Sequence, residues 1–486
     1  MAINPEPTHS MRPSSPRSLS RLPPCRHALR WPVLALAAAL AGCASMAPQD
    51  ARLPDTPVPT TWSAGTTAAP GSTATSLAQW WQRLGDAQLT ALVEQALAAN
   101  TSVRTAQAAL RQARAQVDVQ AAGLAPQVGA SASAQRSRSG NSGTGNNFQL
   151  GFDASWEPDV FGRVRAGVNA SEADARAAEA SLADVQVSLA AEVAVNYIEL
   201  RSLQQRLVIA RSNLASQGET LQITQWRLQA GLTTSLVAEQ ARAASEQTAA
   251  QIPALEASLA QSRHSLAVLT GQAPAALDAQ LAASAAVPQP GDELAMAIPA
   301  ETLRRRPDVR AAEQRITAAL ARVSQADAAR YPDFGISGSV GLRALTLGAL
   351  SGGSAVAASL LGSVSVPLLD GGAARAQVRA QEAGLEQARI AYQAAVLTAL
   401  KDVEDALVSL RGNRERLVRL RSAADAAGNA ELLARQRYSS GLIDFQAVLE
   451  TQRTLLSTQE GVATTVASLS ADHVRLYKAL GGGWQP

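Results

Sequence analysis

SVRTAQAALRQARAQ, residues 102–116, returns as DVRAAEQRITAALAR, residues 308–322, at an offset of 206. Pro126 has its counterpart in Pro332 at the same offset. Self-similarity at a fixed spacing marks an internal duplication, so the two halves are expected to build the same unit twice. Around the first copy, Leu89, Leu92, Val93, Leu97, Val103, Ala106, Leu110, Ala113 and Val117 recur near a 3.6-residue period, which predicts a helix over 86–124. The period then drops to two. Val128, Ala130, Ala132 and Ala134 alternate with Gly129, Ser131, Ser133 and Gln135, a strand. A polar stretch from Ser137 to Asn147, with glycines at 140, 143 and 145, reads as a loop. Phe148, Leu150, Phe152, Ala154 and Trp156 alternate with Gln149, Gly151, Asp153 and Ser155, a second and clearer strand.

From Gly162 to about Gln229 there is no proline, and Gly167 and Gly218 are the only internal glycines. Such a run predicts one helix on the order of 100 Å long. Gly231 ends it, and a further helix is expected over about 234–269, with Pro253 as its candidate kink. In the second half, Phe334, Ile336, Val340 and Leu342 alternate with Gly335, Ser337, Ser339 and Gly341. Leu360, Gly362, Val364 and Val366 alternate with Leu361, Ser363 and Ser365. Asp370-Gly371 opens a second proline-free run that ends at Gly441. The expected fold is therefore mainly α, with two tandem repeats, each helix, β-hairpin, very long helix, turn, helix. The first spans 86–270, with strands at about 127–136 and 147–156. A connection over 271–300 leads to the second at 301–474, with strands at about 333–343 and 358–367, and a C-terminal segment at 475–486.

The chain has 486 residues, of which 3% are aromatic, too few for one large globular core and suited to helices meeting along narrow apolar seams. Arg12, Arg17, Arg21, Arg26 and Arg30 precede an apolar stretch from Trp31 to Ala41, too short to span a bilayer and typical of a secretory signal over 1–42. Met11 is a second candidate start. The stretch ends in Leu40-Ala41-Gly42-Cys43, which resembles a bacterial lipobox, so Cys43 is the expected site of a covalent lipid; no other cofactor is expected. Ala44 and Ser45 follow, with no aspartate at the second position, which favours the outer membrane. Removing residues 1–42 takes away five arginines and one glutamate, so the formal charge falls from +3 to −1. The basic balance belongs to the discarded piece and gives no ground for nucleic-acid binding. Cys25 goes as well, which leaves Cys43 without an intrachain partner. Residues 43–85, rich in Pro, Thr, Ser and Gly, read as a lipidated tether.

Four strands of about ten residues, apolar on alternate positions, suit a membrane barrel. Four cannot close one, and open edges in lipid leave backbone groups unpaired, so other copies must complete it. Two copies give eight strands and a filled barrel, whereas three give twelve and leave a passage. The serines and small residues on the second face fit a water-filled lumen. Helices of about 100 Å with mixed polar surfaces must project out of a hydrocarbon core about 30 Å thick. The two shorter helices of each repeat, laid end to end, match the long one in length.

WWQRLGDAQLTALVEQALAAN (Trp80 to Asn100), EPDVFGRVRAGV (Glu157 to Val168), AQIPALEASLAQSRHSLAVLTGQAP (Ala250 to Pro274), RRRPDVRAAEQRI (Arg304 to Ile316), YPDFGISGSVG (Tyr331 to Gly341), PLLDGG (Pro367 to Gly372) and LYKALGGGW (Leu476 to Trp484) resemble, in this order and spacing, the outer-membrane factor family of TolC-like channels. The likeness is to its lipoprotein branch serving resistance-nodulation-division efflux pumps, and it runs from about Trp62 to Trp484. It implies a homotrimer whose twelve-stranded barrel in outer-membrane lipid continues into a periplasmic helical tunnel. A collar is implied from 271–300, the tether and the C-terminal end. The implied partners are a periplasmic adaptor and an inner-membrane transporter that supplies the energy, and the duct itself is passive.

By the same resemblance, the periplasmic aperture falls within RYSSGLIDFQAVLETQRTLL, Arg437 to Leu456. The constriction carboxylate maps to Glu450 and an inner position to Gln446. A further acidic position of some relatives is Ala447 here, which thins any cation-binding ring. Three Glu450 side chains around a threefold axis would repel one another, select cations and make the aperture pH-sensitive. A surface glutamate beside Arg453 at i+3 is the plainer alternative. Asp444 lies at the tip, and Tyr438 matches a position that links helices in some relatives. The turns RLQAGLTTS and RYSSGLIDF offer Gly231, Leu232, Thr233, Gly441 and Leu442 as adaptor-docking tips or simply as tight turns. Val237 stands where relatives often carry an acid. After processing, His264 and His473 are the only histidines, far apart and each within a helical pattern, so neither catalysis nor a metal site is expected. A type I protein-secretion duct and a lipid-anchored periplasmic coiled-coil adaptor or scaffold stand as alternatives.

Overall fold

A computed structural model describes residues 53–54, 62, 79–138, 140, 144–290 and 300–482, with the side chains of 300–302 excepted. The signal segment, Cys43, most of the tether and Trp484 lie outside the described residues. Two helices precede the first hairpin, α1 (Ala87–Ala99) and α2 (Thr101–Ala122). The periodicity over 86–124 predicts one helix, and Asn100 is why there are two. Its backbone is extended, its side chain accepts from Ser102 N at 2.8 Å to cap α2, and its Nδ2 donates to Leu269 O at 2.8 Å. Asp86 caps α1 by accepting from Gln88 N and Leu89 N.

The strands are β1 (Gln127–Arg138), β2 (Thr144–Trp156), β3 (Asp333–Ala344) and β4 (Val356–Ser365). Composition placed a loop from Ser137 to Asn147, yet the polar residues at both of its ends continue the ladder to Arg138↔Thr144. Backbone pairing needs no apolar side chain. β4 starts two residues earlier than expected and stops at Ser365, so Val366 is outside it. The two hairpins join through β2 and β3 into one antiparallel sheet in the order β1-β2-β3-β4, which leaves β1 and β4 as open edges.

The register puts every even-numbered residue of this sheet on one face: Val128↔Ala154, Phe152↔Val340, Leu150↔Leu342 and Phe334↔Val364 are paired across it. That face carries the exposed Val128, Leu150, Phe152, Ile336, Val340, Leu360 and Val364. The odd face carries Ser131, Ser133, Asp153, Ser337, Ser339 and Ser363. Ser131 Oγ donates to Asp153 Oδ2 at 2.7 Å, and the Ser339 and Ser359 hydroxyls meet at 2.8 Å. One side of the sheet is made for hydrocarbon and the other for water.

Two 67-residue helices, α3 (Arg163–Gln229) and α6 (Ala373–Ser439), follow the hairpins and run for roughly 100 Å. Both begin after a glycine in the left-handed region, Gly162 at φ 79° and Gly372 at φ 89°. Two shorter helices pack along each: α2 and the 35-residue α4 (Ser235–Leu269) on α3, then α5 (Pro307–Ala328) and the 35-residue α7 (Phe445–Ala479) on α6. α4 continues through Pro253. α3 also meets α5 and α7, so the two repeats form a single wall. Within the long helices the seam is alanine, with Ala166, Ala170, Ala173, Ala177 and Ala180 buried along the upper part of α3. Small side chains let helix axes approach closely. No helix among the described residues is long and apolar enough to cross a membrane.

The first part of the 271–300 connection crosses this wall at mid-height. Leu277 and Leu281 are fully buried. Arg201, 3% exposed on α3, donates to Ala283 O at 2.7 Å, to Gln204 Oε1 at 2.8 Å and to the Tyr197 hydroxyl at 2.7 Å, and also bonds Gln88. Tyr197 in turn donates to Asp86 at 2.8 Å, and burial pushes its own ionisation up to about 12. Ser470 of α7 bonds the Pro288 carbonyl at 2.5 Å. The segment is thereby laced to α1, α3 and α7 at one level. α7 runs on to Ala479, into the segment set apart at 475–486.

Candidate functional site at the helical tips

At the end of the wall farthest from the sheet, each long helix turns back through the same device. Gly231 N bonds Leu228 O and Leu232 N bonds Arg227 O, at 2.9 and 2.8 Å. Gly441 N bonds Tyr438 O and Leu442 N bonds Arg437 O, again at 2.9 and 2.8 Å. These are paired Schellman closures, which need a left-handed residue; Gly231 has φ 72° and Gly441 φ 75°. The turns push Leu232 (69% exposed) and Leu442 (74% exposed) off the tip, with Thr233 beside the first. Asp444 is engaged as the cap of α7, its Oδ1 accepting from Ala447 N at 3.1 Å. At the matching position, Thr234 makes no such bond.

The tips of the two repeats are tied to each other. Tyr438 is buried, and its hydroxyl meets Thr224 Oγ1 of α3 at 3.1 Å. Arg227 donates from Nη1 to Tyr438 O at 2.6 Å and lays its guanidinium 4.7 Å above the Tyr438 ring. Phe445 meets that ring edge-on at 5.9 Å. The sequence reading found Tyr438 but missed Thr224 and Arg227. Arg227 has a counterpart, Arg437, at the same place in the second turn, so nothing marked it as special.

Further up, polar pairs cross the seam between the repeats. Gln452 donates to Thr220 Oγ1 at 3.0 Å, Arg435 to Glu219 at 3.1 Å, Ser216 to Glu431 at 3.2 Å and Asn213 to Gln459 at 2.9 Å. Ala238, Ala241 and Ala244 of α4 are buried near the tip, the last two in an apolar cluster shared with Tyr438, Phe445, Val448 and Leu449 of the second repeat.

On α7, Phe445, Val448, Leu449, Gln452 and Leu456 are buried at helical spacing. Gln446, Glu450, Arg453 and Thr454 share the opposite, exposed face. Gln446 and Glu450 thus stand one turn apart on the same stripe, and Gln446 also reaches Gln240 of α4 at 2.9 Å. No ion pair joins Glu450 to Arg453 among the described residues. No group of three potential metal ligands occurs among them either.

A duplicated helical wall on a half-lipid, half-water sheet matches one family. Residues 92–272 and 298–482 fit the model of the outer membrane efflux proteins. The chain belongs to the outer membrane efflux protein family. It is 31% identical over 458 residues to outer membrane protein OprJ of Pseudomonas aeruginosa, covering 91% of this chain and 94% of that one. It is 28% identical over 454 residues to a probable outer membrane lipoprotein, SilC, of Salmonella typhimurium, covering 92% and 96%. Among solved structures, the outer-membrane channel OprN superposes with a TM-score of 0.80 at 36% identity, covering 90% of this chain and all of that one. This efflux protein is an outer-membrane channel and not an enzyme, the outer-membrane part of a tripartite pump with an adaptor and an inner-membrane transporter. Three copies of its sheet close a twelve-stranded barrel, and the helices carry the duct into the periplasm.

Proposed function

We propose that this efflux protein exports drugs or other small toxic compounds, is anchored by lipid on Cys43, and takes its energy from a transporter of the resistance-nodulation-division type. In this reading Glu450 and Gln446 line the periplasmic aperture and the leucine-bearing turns at Gly231 and Gly441 dock the adaptor. The residues 271–300, with the chain's two ends, form the collar. The observation that carries the reading is the exposed polar stripe of α7 beside a polar seam. The opposite face of α7 buries Phe445, Val448, Leu449 and Leu456 against protein, whereas Gln446, Glu450 and Thr454 stay exposed, as residues that line water do. Lipidation is supported by the small residues before Cys43 and by the lipoprotein relative.

The test is single-channel conductance of the detergent-purified trimer in planar bilayers, wild type against Glu450→Ala, across pH. Small cation-selective steps that lose selectivity in the variant are expected, because three carboxylates leave one aperture. Steps that keep their size and selectivity would remove Glu450 from the aperture. Mass spectrometry of the mature N-terminus checks Cys43, and an unmodified thiol there would end the anchoring proposal.

A further inference from the structure

The even face of the sheet is not apolar over its whole height. On β1 it reads Val128, Ala130, Ala132, Ala134 and then Arg136 and Arg138. Both arginines are exposed, and no hydrogen bond or ion pair joins either guanidinium to another described residue. They pair across the ladder with Asn146 and Thr144, at the end of the sheet remote from the helices. At the near end the same face carries Trp156, level with the residue just before β1. The ten steps from that level to Arg136 span about 34 Å of strand, or about 26 Å across the membrane at a tilt near 40°. An outer-membrane barrel shows lipid an apolar band of about 25 Å. Arg136 therefore stands where hydrocarbon gives way to headgroups on the far side, and Trp156 marks the near interface, as aromatic belts do.

The charge around this rim is one-sided. From Ala134 to Phe152 and from Ser339 to Ser359, both extracellular turns included, the chain has three arginines and neither aspartate nor glutamate. A second copy pairing with the open edge of β1 through its β4 brings Val356, Ala358 and Leu360 to this face and no carboxylate. The third arginine, Arg343, is on the odd face and donates to Asn147 at 3.2 Å. Two unpaired guanidiniums per protomer, directed at lipid and adjoining the apolar band, have no anion of the protein to meet. Guanidinium forks match phosphate oxygens in geometry and charge.

We propose that Arg136 and Arg138 form a lipid-phosphate site, repeated three times around the barrel, which holds the phosphorylated headgroups of outer-leaflet lipid. The proposal rests on the reading of the even face as lipid-facing. The site fixes the height of the barrel in the membrane and its contact with the outer leaflet.

The experiment is native mass spectrometry of the detergent-purified trimer, titrated with bisphosphorylated lipid A and, separately, with the same lipid after phosphate removal. The wild-type trimer is expected to retain up to three phosphorylated lipids and to hold the dephosphorylated form about tenfold or more weakly. Equal retention of the two lipids by wild type overturns the proposal without needing any variant. Arg136→Gln/Arg138→Gln should lose the preference for phosphate while conducting normally in planar bilayers, and Arg343→Gln should keep it. A conducting double variant that still prefers the phosphorylated lipid overturns this site and leaves the channel intact. Absence of conducting trimers in wild type would instead overturn the channel reading, and this site with it.

Discussion

Arg227→Ala tests how the two repeats are held together at the tip. The substitution removes the 2.6 Å bond from Arg227 to Tyr438 O and lifts a cation from 4.7 Å above the Tyr438 ring. A hydrogen bond from a charged donor contributes about 1.5–3 kcal/mol and a cation–π contact at an exposed site about 0.5–1. Arg227 is half-exposed, so the lower ends apply and the loss is about 2 kcal/mol per protomer. That is about a thirtyfold shift between joined and parted tips at each of three seams. Tyr438→Phe is the graded companion. It keeps the ring under Arg227 and the carbonyl that accepts from it, and it loses only the hydroxyl contact with Thr224. Thr224 Oγ1 still donates to Thr220 O at 2.8 Å, so no polar atom is orphaned and the loss is about 1 kcal/mol, or about fivefold. Planar-bilayer recording reads both variants as the fraction of time spent in large-conductance states. That fraction should rise in both, and more in Arg227→Ala, with thermal stability of the trimer little changed. Arg227→Ala channels indistinguishable from wild type, or a reversed order of the two variants, would refute the reasoning.

Four other substitutions probe the sheet and the helical wall. A Cβ on Gly341 would collide with Leu150 O of the neighbouring strand, so Gly341→Ala must push the two hairpins apart and should lower the yield of heat-resistant trimer on gels, whereas Gly129→Ala, with open space, should not. Arg201→Met leaves Gln204 Oε1 and the Tyr197 hydroxyl oxygen without the Arg201 donor in a buried site and Ala283 O with only the 3.3 Å bond from Gln204, and circular dichroism should show a destabilisation of about 3 kcal/mol. Burial, with Asp308 nearby, raises the pKa of Asp184 against the opposing pull of Lys478, Arg306 and Arg315. The fold thus prefers Asp184 protonated, and stability is lost as pH rises through its folded-state value. Asp184→Asn should therefore raise the melting temperature at pH 7.5 and lose that advantage near pH 4, and an advantage equal at both values would rule the titration out.

The duplication, the strand alternation and the long helices were legible because each follows from short-range regularity. Period two survives over Phe148 to Trp156, and the lack of proline marks α3 and α6 residue by residue. What was not legible depends on residues far apart in the chain. Asn100 breaks the first helix because Leu269, 169 residues away, offers a carbonyl to its amide. Asp444 reads as a tip charge until its cap on Ala447 is seen. Phe161 stacks on Tyr331 at 5.0 Å and lies 6.3 Å from Phe334, fastening the two repeats under the sheet. No pattern in either repeat alone announces that contact. The strand ends were missed for a different reason: composition sees polar residues at 137–147, whereas a ladder ends only where its partners do.

The contrast between seams explains how one wall can be both rigid and able to part. Separating the alanine-and-leucine seam within a repeat exposes apolar surface at about 25 cal/mol per Å². Separating the seam between repeats releases Asn213, Thr220, Thr224, Gln452 and their partners, whose hydrogen bonds are exchanged for bonds to water at a net cost of about 1 kcal/mol each, and near the tip it also exposes the apolar cluster around Tyr438, Phe445 and Val448. Force applied at the exposed leucines of the tips should therefore open the polar seam first and leave each helical hairpin intact. Near the sheet the distinction vanishes, since α5, which packs on both α3 and α6, buries Ala311, Ala318, Ala319 and Val323. Parting of the repeats is thus expected first in the half of the wall that carries Glu450, where the polar pairs lie, rather than beside the sheet.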